Sequence, residues 1–346
     1  MKLVTFTEWP AVRHRGIQAT IPAMNGKTAL GFDLGGTKML CAAVASDGTV
    51  LAREKKKTRI GGDPEQLVAR MVKTVRACMK AAELPVADVK VLGVAAPGPI
   101  DVENGILTET PNLGVRDFPL AARLEEQLGF PVVLENDVNA GLYGEFIYGK
   151  ARGLSEVIGL FPGTGIGGAM ILGGALYRGA GGGAGELGHM VLQPGGPICG
   201  CGKRGCLEAL ASRGAMAREI ALLVATGKAP TVADLAGADS SLMKSGVIAE
   251  AVAAGEQDVI EIVERSAWWL GLGMANCVNI FNPQAIVLGG GLVEKLGDRY
   301  IPLAEQAMRE QAMGFPVRDV RVIPAVLGDD AAIVGAATRA AEHVDS

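Results

Sequence analysis

The chain has 346 residues, enough for two domains and a large buried core. Lys and Arg total 33 against 37 Asp and Glu, so a net charge of −4 leaves no basic surplus for a nucleic-acid footprint. No run of 18 apolar residues offers a membrane span, residues 1–20 lack the apolar region of a signal peptide, and Cys41, Cys78 and Cys277 lie in apolar runs that suit reduced core thiols in a cytoplasmic setting. The 49 glycines cluster after apolar runs, which points to backbone approaching a ligand.

Residues 1–28 read as an irregular leader broken by Pro10 and Pro22, with Met24 as a possible alternative start. Strands are expected at 29–33 and 39–45 around a hairpin. A helix follows at 64–82, with Pro64 at its start and Leu67, Met71, Val75 and Cys78 as its apolar stripe. A strand at 89–95, a helix at 120–128, a strand at 132–134 and a helix from Val138 to 146 complete a first cycle. A second cycle begins with a strand at 157–161 and short strands at 169–172 and 175–177. A long helix over 256–281 is stopped by Asn282-Pro283. Strands at 285–288 and 323–325 and a closing helix over 330–342 end the chain. Strands alternating with helices give an α/β class. Both halves open on an apolar strand and a glycine turn carrying Thr, as an internal duplication with a phosphate loop in each half would.

The first turn is Asp33-Leu34-Gly35-Gly36-Thr37-Lys38. It is not a P-loop. Successive N–H groups at Gly35 and Gly36 can form an anion nest, Thr37 adds a hydroxyl, Lys38 a charge, and Asp33 can hold Mg²⁺ through water. A tight hairpin that merely needs glycine is the rival. The second turn, Gly163-Thr164-Gly165-Ile166-Gly167-Gly168, matches the dinucleotide fingerprint formally, but that fingerprint must open a helix, and here a strand follows. It reads as the second phosphate loop. Gly289, Gly290 and Gly291 offer a third approach of bare backbone, fit for a nucleoside or for a plain strand-to-helix turn. At the strand end Glu135-Asn136-Asp137, Asp137 is the candidate to take a hydroxyl proton in phosphoryl transfer; an N-cap is the competing role. Pro111-Asn112-Leu113 supplies an amide suited to sugar hydroxyls, or a simple turn.

His189, Cys199, Cys201 and Cys206 form a Cys₃His set of the kind that closes a structural zinc site. Free thiols are one rival, and a disulfide another, although Cys199 and Cys201 are too close to pair comfortably. Glu186 and Glu208 flank this cluster, and a metal there would fix where they point.

Together, Asp33-x-Gly-Gly-Thr-Lys38, Pro111-Asn112-Leu113, Glu135-Asn136-Asp137, Gly185-Glu186-x-Gly-His189 and Cys199-x-Cys201-x₄-Cys206-x-Glu208 resemble the ROK family of bacterial sugar kinases over roughly residues 29 to 340. The resemblance implies the actin-like ATPase (ribonuclease H-like) fold, with two lobes each holding a mixed sheet and flanking helices. The small lobe would comprise 29–138 plus 329–346, and the large lobe 139–328 would carry the zinc loop and the oligomer interface. It implies Asp137 as catalytic base, Asn112, Asn136, Glu186, His189 and Glu208 around the sugar, and zinc on His189 and the three cysteines. ATP with Mg²⁺ would lie on the glycine loops, and members form homodimers or homotetramers. The activity expected is transfer of the γ-phosphoryl of ATP to the 6-hydroxyl of a hexose, glucose first. An N-acetylhexosamine kinase or a fructokinase is the alternative within the class, and a sugar-responsive ROK transcriptional regulator the alternative outside it. The short leader, broken by two prolines, leaves no room for a helix-turn-helix; with the charge balance and the lack of a long apolar run, neither nucleic acid nor membrane is an expected partner.

Overall fold

In the computed structural model, which describes residues 27–58, 63–110 and 113–345, the chain enters a mixed sheet through β1 (Thr28–Leu34), β2 (Lys38–Val44) and β3 (Val50–Lys57), an antiparallel meander. The leader expected over 1–28 thus lies almost wholly outside the described residues, as does Asn112. Helix α1 (Pro64–Ala81) starts where the side chain of Asp63 accepts from the amides of Glu65 and Gln66, and it buries the Leu67, Met71, Val75 and Cys78 stripe on this sheet. β4 (Val89–Ala96) then runs parallel to β1. A three-stranded antiparallel flap of β5 (Ile100–Asp101), β6 (Ile106–Thr110) and β7 (Val115–Phe118) precedes α2 (Leu120–Leu128), which ends at Gly129 in the left-handed region. β8 (Val132–Asn136) adds to β4 in parallel, and the order is β3-β2-β1-β4-β8.

After α3 (Asp137–Ile147) the plan repeats. β9 (Val157–Pro162), β10 (Ile166–Leu172) and β11 (Ala175–Leu176) form an antiparallel meander. A long excursion carries α4 (Leu207–Ala211), α5 (Arg213–Ala225), α6 (Pro230–Ala236), α7 (Ser245–Ala253) and α8 (Gln257–Phe281). β12 (Ala285–Leu288) then joins β9 in parallel. α9 (Gly291–Gln311), α10 (Gly314–Val317), β13 (Arg321–Pro324) and α11 (Ala331–His343) follow. The second order, β11-β10-β9-β12-β13, reproduces the first strand for strand, the arrangement expected of a duplicated plan.

The strand at β3, the flap and the helices between 207 and 253 were not expected from the sequence. β3 is an edge strand whose Lys55, Lys56 and Lys57 face solvent, so it lacks an apolar signal. α9, which carries Pro302 inside it, is likewise not expected from the sequence.

Two helices connect the halves. α11 follows the second sheet in sequence yet packs on β1 and β4, while α3 follows the first sheet and packs on β9 and β10. They cross each other at glycines. A Cβ on Gly335 would strike the carbonyl of Ala140, and one on Gly144 would strike the carbonyl of Ala331. Only bare backbone permits that separation.

Candidate active site

The end of β8 sets the site. Asn136, not Asp137, is the N-cap of α3: its Oδ1 accepts from the amides of Val138 (3.0 Å) and Asn139 (3.1 Å), and its Nδ2 donates to the Gly98 carbonyl at 3.3 Å. The helix begins at Asp137 rather than Val138, and the capping role proposed for Asp137 falls to its neighbour. Asp137 lines a cleft of about 800 Å³ together with Asp33, Gly289, Gly290, Gly291 and Asp329. Burial, reinforced by the charge of Asp33, raises the Asp137 carboxyl from 3.8 to about 6. Asp33 rises to about 6 as well, through burial, partly offset by Lys38.

The glycine turns are less open than the sequence suggests. The Gly35 amide closes its own hairpin on the Lys38 carbonyl at 3.0 Å, so the expected Gly35 donor is spent within the turn. Gly36 and Thr37 stand exposed beyond it. Lys38 reaches Asp329 at 3.7 Å on the rim of the cleft. In the second loop, the Gly163 amide donates to the Gly165 carbonyl at 2.8 Å, so that donor too is internal. Thr164 is exposed and its hydroxyl accepts from Arg213. A Cβ on Gly165 would meet Oε2 of Glu208, so the carboxylate would have to shift. The strand that follows, β10, excludes a dinucleotide turn. At the third cluster, the Gly289 amide completes the sheet on Leu160 at 3.1 Å, Gly290 caps α9 at φ 84°, and Gly291 opens the helix. Their bare faces line the cleft, beside the N-terminus of α9, where unpaired amides favour negative charge.

Asn136 faces a second cavity, about 770 Å³, shared with Gly98, Glu135, Arg178, the glycines 179 and 181–183, and Glu186. Adjacent residues, Asn136 and Asp137, therefore line one cavity each. Arg178 and the buried Glu135 were not anticipated as site residues. They form an ion pair, with Arg178 Nε 3.1 Å from Oε2, that ties the glycine-rich segment to the end of β8. Glu135 also accepts from Asn139 Nδ2 at 3.1 Å. The only sequence signal was an acidic residue ending an apolar strand.

His189 Nδ1 lies 3.6 Å from Cys199 Sγ, Cys201 and Cys206 sulfurs are 3.8 Å apart, and all four ligand atoms fall within 4.8 Å of one another. Tetrahedral zinc with ~2.0–2.3 Å bonds needs edges of about 3.3–3.8 Å. All six cysteines are free, so no disulfide forms. Burial pushes the Cys199 thiol up to about 12, a cost that a divalent cation reverses. The two edges of 3.6 and 3.8 Å match the tetrahedral range, and the donor set is compatible with zinc. The other imidazole nitrogen, Nε2, points to Glu186, 3.8 Å away. Glu208 turns inward: Oε2 accepts from the Ile166 amide at 3.0 Å, and Oε1 lies 3.3 Å from Cys199 Sγ. It bridges the cysteine loop to the second glycine loop.

The ROK family model matches residues 29–343. A glucokinase of Thermotoga maritima is 34% identical over 316 residues, covering 91% of this chain and 98% of that protein. A putative xylose repressor of a Caldicellulosiruptor species is 29% identical over 306 residues, covering 88% of this chain and 76% of that protein. The crystal structure of a ROK family glucokinase from Streptomyces griseus, in complex with glucose and AMPPNP, superposes with a TM-score of 0.79 at 31% identity, covering 91% of this chain and 99% of that one. The paired sheets are those of the actin-like ATPase fold. With sequence and architecture agreeing from β1 to α11, the chain belongs to the ROK family.

Proposed function

We propose that this protein is an ATP-dependent glucokinase, transferring the γ-phosphoryl group to the 6-hydroxyl of glucose. The observation that carries the reading is Asp137, a half-buried carboxylate that lines the larger cleft while its neighbour Asn136 takes the N-cap role and lines the second cavity. The Thermotoga maritima relative is a glucokinase, and the Streptomyces griseus neighbour is a glucokinase in complex with glucose and AMPPNP.

In this reading ATP lies in the larger cleft, its nucleoside against Gly289, Gly290 and Gly291 and its phosphates toward Gly36, Thr37, Lys38 and Thr164. Glucose is held by Asn112, Asn136, Glu186, His189 and Glu208. Asp137 accepts the proton of the 6-hydroxyl as that oxygen bonds to the γ-phosphorus, and ADP departs. A carboxylate with its pKa raised to about 6 is ionised at neutral pH yet more basic than a surface one. Mg²⁺ bound with ATP would neutralise phosphate charge, and Asp33 would hold it through water. His189, Cys199, Cys201 and Cys206 would hold a structural zinc that fixes the Glu186 and Glu208 loop. A homodimer or homotetramer would use the second half, where Ile280, Met313 and Phe315 stand exposed on adjoining segments.

A coupled assay with glucose, fructose, N-acetylglucosamine and N-acetylmannosamine, each with ATP, GTP or polyphosphate, tests the reading. Glucose with ATP should show the highest kcat/KM. A higher value for an N-acetylhexosamine or for fructose would move the assignment within the class. No turnover with any pair, despite sugar binding, would move it to a regulator.

A further inference from the structure

The second glycine loop has a buried cation behind it. Arg213 is the first residue of α5 and only 9% exposed. Its Nη1 donates to the Met243 carbonyl at 2.8 Å, and its Nη2 donates to the Thr164 hydroxyl oxygen. No carboxylate pairs with it among the described residues. Burying a guanidinium without a counter-ion is costly, and such groups are normally paired. Burial lowers the Arg213 pKa, with no carboxylate opposing that shift, though the group remains charged. The loop itself is anchored to the same helix start. The Arg213 amide donates to the Gly163 carbonyl at 2.9 Å, and the Gly214 amide donates to the Thr164 carbonyl at 3.2 Å.

The direction of the hydrogen bond matters. A guanidinium can only donate, so the Thr164 hydroxyl must accept from it. The hydroxyl's own proton is then left to point away from Arg213, and Thr164 is exposed. A hydroxyl polarised by a cation at its back is a stronger donor to an anion at its front.

We propose that Arg213 is a positioning residue for the phosphoryl donor: it orients the Thr164 hydroxyl toward the phosphate oxygens, and the polyphosphate supplies the counter-charge that Arg213 otherwise lacks. This rests on the reading of the Gly163–Thr164–Gly165 turn as a phosphate loop.

The test is calorimetric titration of AMPPNP, adenosine and glucose into the full chain and its variants. Arg213→Met should weaken AMPPNP about tenfold or more, the range expected for one lost charge-assisted hydrogen bond, and leave adenosine and glucose within about twofold. Arg213→Lys, which keeps the charge, should recover more of the AMPPNP affinity than Arg213→Gln, which keeps only neutral donors. The losses of Arg213→Met and Thr164→Val should not add in the double variant. Equal weakening of all three ligands would reduce Arg213 to a packing role and overturn the proposal. So would equal AMPPNP affinity for the Lys and Gln variants, a comparison that stands even if Arg213→Met does not fold. If Thr164→Val leaves AMPPNP binding unchanged, the phosphate-loop reading fails and Arg213 with it. If Thr164→Val weakens AMPPNP but no Arg213 variant does, only the role of Arg213 fails.

Discussion

Asp137 bears a cost that a surface carboxylate does not. Its pKa is raised from 3.8 to about 6, so the folded protein binds that proton more tightly than the unfolded chain does. Stability is therefore lost as pH rises from about 4 to 6, and above 6 the buried charge costs up to about 3 kcal/mol. Asp137→Asn removes the charge and keeps an Oδ1 for the Val138 amide, now 2.9 Å away. It should melt higher than wild type at pH 7.5, and the gain should vanish near pH 4. Its kcat should fall ~10²–10⁴-fold, with glucose affinity changed far less; calorimetric melts and steady-state kinetics check both halves. In the wild type, kcat/KM should drop below about pH 6, by about tenfold per unit from Asp137 alone and more steeply if protonation of Asp33 also matters. A profile flat down to pH 5 would remove Asp137 from the role of base. Lys38→Ala, by contrast, should raise KM for ATP more than KM for glucose, since Lys38 sits on the rim of the larger cleft beside Asp329.

At the level of elements, two tethers shape the cavities. The cysteine loop holds Glu186 and His189 on one side, and through Glu208 it reaches the Ile166 amide of β10. The protein should carry one zinc per subunit by elemental analysis, and Cys201→Ser should lose it. Because Cys201 is exposed while Cys199 and Cys206 are buried, this substitution disturbs packing least. Weaker glucose binding should accompany the loss. The second tether is Glu145 on α3, fully buried, whose Oε1 accepts from the amides of Val326 and Leu327, both at 2.7 Å. It fastens the segment leading to Gly328 and Asp329, which line the larger cleft. Glu145→Ala leaves both amides without an acceptor and should cost about 2 kcal/mol or more, with a higher KM for ATP. Glu145→Gln keeps an acceptor oxygen and should lie close to wild type in both. A melt unchanged in the Ala variant would remove the tether.

For the whole molecule, the crossing of α3 and α11 joins the two sheets. The Gly144 and Gly335 contacts make it a place where almost no added volume fits. Gly335→Ala should destabilise the protein by about 1–3 kcal/mol, the range for overpacking. Gly181→Ala, at an open position with nothing within 4 Å of its Cβ, should be nearly neutral there. Thermal melts of the two variants against wild type decide whether the crossing is as tight as its glycines imply.

Much of this was legible in the sequence because it rests on local rules. Pro64 and the stripe from Leu67 to Cys78 specify α1, Asn282-Pro283 ends α8, and the spacing of His189 with three cysteines specifies a ligand set before any coordinates. The strand expected after Gly168 argued against a dinucleotide turn, and the strand found, β10, begins even earlier, at Ile166. What a linear reading could not supply were facts that depend on distant partners. Whether Asn136 or Asp137 caps α3 is settled by side-chain direction, since both are good caps. Gly35 and Gly163 seemed free donors, but their amides close their own turns. Arg178 and Glu135 are 43 residues apart in sequence, Glu145 and Leu327 are 182 apart, and Thr164 and Arg213 are 49 apart. Propensity and periodicity describe a residue and its near neighbours; charge pairing, pKa and the bare-backbone contact of two helices exist only once the fold has brought those segments together.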